Sequence, residues 1–213
     1  MKTKLFLTIA IVFMTIEING QQFSFGIKPC LNLLNPTYKE KPSFSSQDLG
    51  SRLSYGLGFT ANTYLSKKLQ VQFEPRFVER GYKYSWGGID IYTYKNGYIS
   101  MPILLEVDIK YNFKFEIGPE ISYLIYSRET NSNGHTGVNN SLEQNHFELS
   151  GIVGLSHKII GDISLGVRYG LAFNPNSDGS IMDIESGSLS SYKIYNRYFE
   201  LFTNIPIIKA SKK

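Results

Sequence analysis

Eight stretches of this chain alternate apolar and polar residues with a period of two, and all eight keep the same parity. In "YISMPILLEVDI", Ile99, Met101, Ile103, Leu105, Val107 and Ile109 share one face. Ser100, Pro102, Leu104, Glu106 and Asp108 share the other. One face is purely apolar and the other carries carboxylates, so a strand of this kind divides two different solvents.

The same odd-numbered apolar face recurs along the chain. "FSFGIKPCLNL" places Phe23, Phe25, Ile27, Leu31 and Leu33 there, and "LSYGLGFTANTYL" places Leu53, Tyr55, Leu57, Phe59, Ala61 and Leu65. "LQVQFEPRF" sets Leu69, Val71, Phe73 and Phe77 against Gln70, Gln72, Glu74 and Arg76. "FKFEIGPEISYLI", "FELSGIVGL" and "ISLGVRYGLAF" repeat the pattern, with Lys114, Glu116, Glu120, Glu148 and Arg168 on the polar side. "RYFELFTNIPI" closes the series, although Phe202 breaks its parity. These strands are about 10–13 residues long, the length of a tilted membrane-crossing strand. Short links at Ser66–Lys68, Tyr111–Asn112 and Ile160–Asp162 alternate with long polar ones over roughly 34–51, 84–97, 127–145 and 174–194. Short and long links therefore fall at opposite ends.

The pattern predicts an all-β fold, an eight-stranded antiparallel up-and-down transmembrane β-barrel with short periplasmic turns and long extracellular loops. A soluble lipocalin-like ligand-binding barrel would show the same alternation with its faces exchanged. The glycines favour the membrane form. Gly26, Gly56, Gly58, Gly118, Gly154, Gly166 and Gly170 share the polar face, where they would weaken a solvated exterior but make room inside a narrow barrel. The lumen is then expected to hold an ion-paired network of Lys28, Glu74, Arg76, Glu106, Asp108, Lys114, Glu116, Glu120, Glu148, Arg168 and Glu200. Phe23, Tyr98, Tyr111, Phe113 and Phe173 are candidates for interfacial girdles. Pro75, Pro102 and Pro119, on successive strands, are expected at similar heights, at bulges or bends, with the freed carbonyls turned inward.

The first twenty residues read as an export signal. Lys2 and Lys4 precede the apolar run "LFLTIAIVFMTI", and Gly20 offers a cleavage point, so residues 21–213 form the barrel domain. The run is too short for a spanning helix. Cys30 is the only cysteine, which excludes an intrachain disulfide. The net charge of +4 has no basic run beyond the Lys212–Lys213 end, which argues against nucleic acid.

The stretches "FGIKPCLNL", "LQVQFEPRFVERGYKY", "YISMPILLEV", "FEIGPEISYLI" and "ISLGVRYGLAF" resemble, in that order, the PorT-like outer-membrane β-barrel family of Bacteroidota. The resemblance spans the mature chain and implies an outer-membrane location. Some members of that family act as accessory factors in protein secretion, and the expected role of this chain is non-enzymatic: structural, surface-binding or secretion-accessory. The expected partners are outer-membrane lipids, the barrel-insertion machinery, and surface or secretion proteins met through the loops. Such barrels usually end on an aromatic residue, whereas this chain continues past Ile208 with "KASKK".

Two other classes remain. An outer-membrane lipase, acyltransferase or protease would need one of His135, His146 or His157, of which His146 lies nearest to an acid, Glu148. A small pore would need an open lumen, which eight strands seldom leave. No metal-ligand spacing or cofactor motif is present, so no cofactor is expected. The tyrosines and Trp86 of "YSWGGIDIYTY" make the second long link the most adhesive in composition.

Overall fold

The computed structural model describes residues 23–39, 47–86, 89–138, 145–182 and 189–208. The expected signal segment, parts of all four long links and the residues after Ile208 lie outside the described residues.

The described residues form thirteen strands and no helix. They are β1 (Phe23–Leu34), β2 (Thr37–Lys39), β3 (Gln47–Tyr64), β4 (Leu69–Phe73), β5 (Arg76–Trp86), β6 (Ile89–Asp108) and β7 (Phe113–Asn131). These are followed by β8 (Thr136–Val138), β9 (Phe147–Ile160), β10 (Ile163–Ala172), β11 (Ser177–Met182), β12 (Leu189–Tyr195) and β13 (Arg197–Ile208). β4 and β5 together make one wall, and with β1, β3, β6, β7, β9, β10 and β13 they close a ring of eight antiparallel walls. β2, β11 and β12 form a separate three-stranded sheet at the long-loop end.

The outer face of the ring is apolar and the inner face polar. Leu31, Leu57, Phe59, Ile99, Met101, Ile121, Leu149, Val167 and Leu201 are exposed, whereas Lys28, Glu74, Arg76, Glu116, Glu120, Arg168 and Glu200 are buried. This inverts a water-soluble protein and excludes the lipocalin-like arrangement. The chain is an eight-stranded transmembrane β-barrel with short periplasmic turns and long extracellular loops.

The short turns follow from local chemistry. Tyr111 and Asn112 both have positive φ (61° and 63°), the geometry of a two-residue hairpin whose twist matches its strands. Gly161, at φ 56°, takes the left-handed position between β9 and β10.

The long links depart from expectation. Residues 84–97 are strand except at the tip: β5 and β6 stay paired through Trp86 and Ile89. β3 begins at Gln47 and β7 runs on to Asn131. Above the lipid both faces of a strand meet water, so polar residues need not alternate and the periodic signal disappears.

The prolines gather as expected. Phe73 pairs with Ile103 and Arg76 with Ser100, which brings Pro75 opposite Met101 and next to Pro102. Pro102 pairs with Glu120, beside Pro119. The wall breaks between β4 and β5, and the β6–β7 ladder lapses between Pro102 and Leu105 without a register shift. The carbonyl opposite Pro119, Ile103 O, lies 2.0 Å from where a Cβ on the inward-facing Gly118 would stand, whereas the carbonyls of Pro75 and Pro102 stay in the ladder. They accept from Phe59 N (3.0 Å) and Glu74 N (3.1 Å), so the hydrogen bonds stay in the wall.

Candidate functional site

The lumen is filled by a column of charge. At the periplasmic end Lys114 lies 3.5 Å from Glu106 and 3.8 Å from Asp108, beside a polar vestibule of about 570 Å³. Deeper in, Lys28 Nζ donates to Glu74 (2.9 Å). Arg168 then takes three carboxylates: Glu74 through both terminal nitrogens (2.8 and 2.9 Å), Glu116 through Nε and Nη2 (2.7 and 3.0 Å), and Glu200 (3.1 Å). Arg76 bonds Glu200, Glu120 (2.6 Å) and, more loosely, Glu74 (3.3 Å). Arg80 closes the column, with both oxygens of Glu120 at 2.8 and 2.9 Å and Glu148 at 2.7 Å.

Of the eleven residues expected in the lumen, nine are buried there, and Asp108 and Lys114 stand half-buried in the vestibule. Each carboxylate of the deep column faces at least one guanidinium or ammonium, which offsets the cost of holding charge away from water. Bidentate geometry adds direction as well as energy. Gly154 makes the central pairing possible: a Cβ there would lie 2.6 Å from Glu116 Oε1 and 2.7 Å from Arg168 Cγ.

Arg80, Tyr98, Tyr198 and Phe202 are lumen residues outside the expected set. Arg80 lies past Phe77, where the apparent strand ended. Tyr98 was a candidate girdle residue, yet it is fully buried and donates to Asn176 Oδ1 (2.9 Å). Tyr198 donates to Glu120 and lies under Arg80, 4.2 Å from the guanidinium carbon to the ring centroid. Phe202, the parity break, points inward under Lys28 and Arg168, each 4.4 Å from its ring centre. The other girdle candidates, Phe23, Tyr111, Phe113 and Phe173, are exposed.

Above the column Leu34, Tyr82 and Tyr198 pack together, with Leu49 and Tyr94 against them. Tyrosines continue outward from this plug. Tyr82 stacks on Tyr94 (4.9 Å), Tyr92 contacts Tyr84 and Tyr94 (6.3 and 6.4 Å), and Tyr38 meets Tyr192 edge-on (6.1 Å). Burial holds the Tyr38 and Tyr94 phenols above their usual range. Tyr84, Tyr192 and Asp48 add to this at Tyr38, and Glu129 adds to it at Tyr94. The Trp86 side chain lies outside the described residues.

The histidines do not assemble. His135 is exposed in the β7–β8 hairpin. His146 is exposed, lies 3.5 Å from the Leu124 carbonyl and stacks on Tyr123, whereas Glu148 is buried in the lumen with Arg80. His157 packs on Phe113, while its neighbour Ser156 points inward. No described contact joins a histidine to a serine or a carboxylate.

Among solved structures, the chain is similar to the outer membrane protein OprG from Pseudomonas aeruginosa. Identity is 12%, the TM-score is 0.50, and the match covers 88% of this chain and 97% of that one. Neisserial surface protein A is also similar (14%, TM-score 0.45, covering 85% and 96%). So is Ail, the attachment invasion locus protein of Yersinia pestis (11%, TM-score 0.45, covering 89% and 100%). No curated protein sequence matches the chain. The family described as outer membrane protein beta-barrel domain matches residues 18–178. That span takes in seven of the eight walls and the charges of their inner faces. By this match the chain belongs to the outer membrane protein beta-barrel domain family and is a small barrel of the outer membrane.

Proposed function

We propose that the protein neither conducts nor catalyses, and that it works at the cell surface by binding through its extracellular extension. The observation that carries this reading is the contrast between the two halves of the molecule. Arg168, Arg76, Arg80 and Tyr198, joined through shared carboxylates, fill the lumen with buried side chains, and Tyr98 packs beneath Arg80. Tyr38, Tyr84, Tyr92, Tyr94 and Tyr192 stand half-buried on the extension, amphipathic and ordered by stacking. Aromatic groups of this kind supply contact area at little entropic cost. The order of the sequence motifs supports placing the chain with the PorT-like barrels of Bacteroidota, so the bound partner is a surface or secreted protein. Residues 1–20 act as the export signal, and the barrel-insertion machinery receives the remainder.

The test combines two measurements. Purified barrel in planar bilayers should give no steady conductance. Cells whose protein carries Tyr84→Ala, Tyr92→Ala and Tyr192→Ala should lose surface-retained proteins that wild-type cells keep, at equal barrel abundance. Steady single-channel steps would establish a pore instead. Lipid or peptide hydrolysis abolished by His146→Ala would establish an enzyme.

A further inference from the structure

Ile99, Tyr123 and Phe77 form one outward rung of the wall, and they belong to the apolar belt. The next outward rung towards the outside is Glu79, Gly97 and Tyr126, and the one after that is Gly81, Lys95 and Arg128. The residues between them, Arg80, Asn96 and Ser127, point inward and are buried. The third rung lies about 13 Å along the strand from Ile99, or roughly 10 Å along the membrane normal once tilt is allowed for. This is the level of the outer-leaflet headgroups.

Three cations meet on that rung. Lys95 and Arg128 are direct cross-strand partners on the same face, a placement that like charges normally disfavour. Neither has a carboxylate partner among the described residues. Arg128 rests on the Tyr126 ring, 5.2 Å from its centroid. Arg52 lies on the other side of Lys95. Its Nη2 bonds Glu79 (2.8 Å), while its Nη1 is buried without a partner. A Cβ on Gly81 would lie 2.6 Å from that Nη1, and a Cβ on Gly97 would lie 2.1 Å from Tyr126 Cε1. Two glycines thus let a guanidinium and a ring lie flat on the outer wall. The row of Arg52, Lys95 and Arg128 is only partly balanced by Glu79, which Tyr126 also binds (3.1 Å).

We propose that this row binds the phosphate of an outer-leaflet lipid headgroup, with the acyl chains running down the wall over Phe77, Ile99, Tyr123 and Ile125. A phosphate between Lys95 and its two neighbours relieves the opposed charges and gives Arg52 Nη1 its missing acceptor. The acyl wall directly below selects a lipid over a free anion. The inference depends on the barrel's orientation and not on the surface-binding reading, so either can fail alone.

The test is native mass spectrometry of refolded barrel in neutral detergent with three probes: bis-phosphorylated lipid A, the same lipid dephosphorylated, and inorganic phosphate. The expected result is one tightly held lipid A, with the dephosphorylated form at least tenfold weaker. The pair Lys95→Gln and Arg128→Gln should weaken lipid A at least tenfold and leave the dephosphorylated form unchanged. The pair Lys67→Gln and Lys68→Gln, in a periplasmic turn, should change nothing. Should the Lys95/Arg128 double variant not fold, as read by heat-modifiable migration, Arg128→Gln alone carries the test. Equal binding of both lipids, or equal loss in the turn variant, would overturn the proposal. Displacement of lipid A by inorganic phosphate at comparable affinity would make this a free-anion site and overturn it as well.

Discussion

Replacing Arg168 by methionine tests the central claim about the lumen, that each charge there is held by its neighbours. Methionine keeps much of the side-chain length and its contact with Phe202, so the change is mainly electrostatic. Arg168 bonds Glu74, Glu116 and Glu200. Without it Glu74 still has Lys28 and Arg76, and Glu200 still has Arg76. Glu116 is left with no described cation. The loss is therefore set by one uncompensated buried carboxylate, about 3–5 kcal/mol. Adding Glu116→Gln removes that charge, and the double variant should lie only about 1–2 kcal/mol below wild type. The coupling between the two sites is then at least roughly 2–3 kcal/mol, and larger by whatever Glu116→Gln costs alone. Equilibrium urea titration of the barrel in phospholipid vesicles, scored by heat-modifiable migration, measures all four corners of the cycle. As a reference, Lys114→Met should cost under about 1 kcal/mol, because that ammonium is one-third exposed in the vestibule. If Arg168→Met costs less than about 1 kcal/mol, or if Glu116→Gln makes it worse, the column is hydrated and its pairs act independently.

Gly154→Ala should cost about 1–3 kcal/mol by forcing Glu116 and Arg168 apart, whereas Gly137→Ala, with open space around it, should change little; the same titration separates them. Tyr111→Asn should stabilise the barrel by up to about 1 kcal/mol, because Tyr111 is 85% exposed and holds a positive φ that asparagine tolerates better. No change in the urea midpoint would show that the turn is free to relax.

The lumen was legible in the sequence because lipid demands an apolar outer face at every alternate residue, and parity then assigns the inner face by default. The reading weakened where that demand ends. At "VERGYKYSW" the polarity reverses, with Val78 and Tyr82 inside and Glu79 outside. The outward carboxylate is tolerated there because Arg52 pairs with it beyond the belt, so Arg80 fell outside the alternating stretch. Tyr98 and Tyr198 were hidden for another reason. An aromatic residue on an inner face has the composition of a girdle residue, and only the ring closure shows that it lies under Arg80. The pairing pattern of the charges was not legible either, since it depends on which walls face each other across the lumen.

The closed part of the ring measures the membrane without reference to hydropathy. β1 pairs with β3 from Phe23 to Leu34, and β7 with β9 from Phe113 to Tyr123. Beyond Leu34 and Leu124, whose N donates to His146 O (2.8 Å), these two seams part, while β3, β5, β6 and β7 continue upward as a sheet that does not close among the described residues. Backbone amides and carbonyls at a parted seam need water, which the hydrocarbon does not supply. The seams can therefore open only where solvent begins. Their closed lengths, twelve and eleven rungs, agree with the roughly 9–11 tilted residues that cross a bilayer core. The hydrogen-bond pattern alone thus marks the outer water boundary near Leu34 on one side of the barrel and near Leu124 on the other.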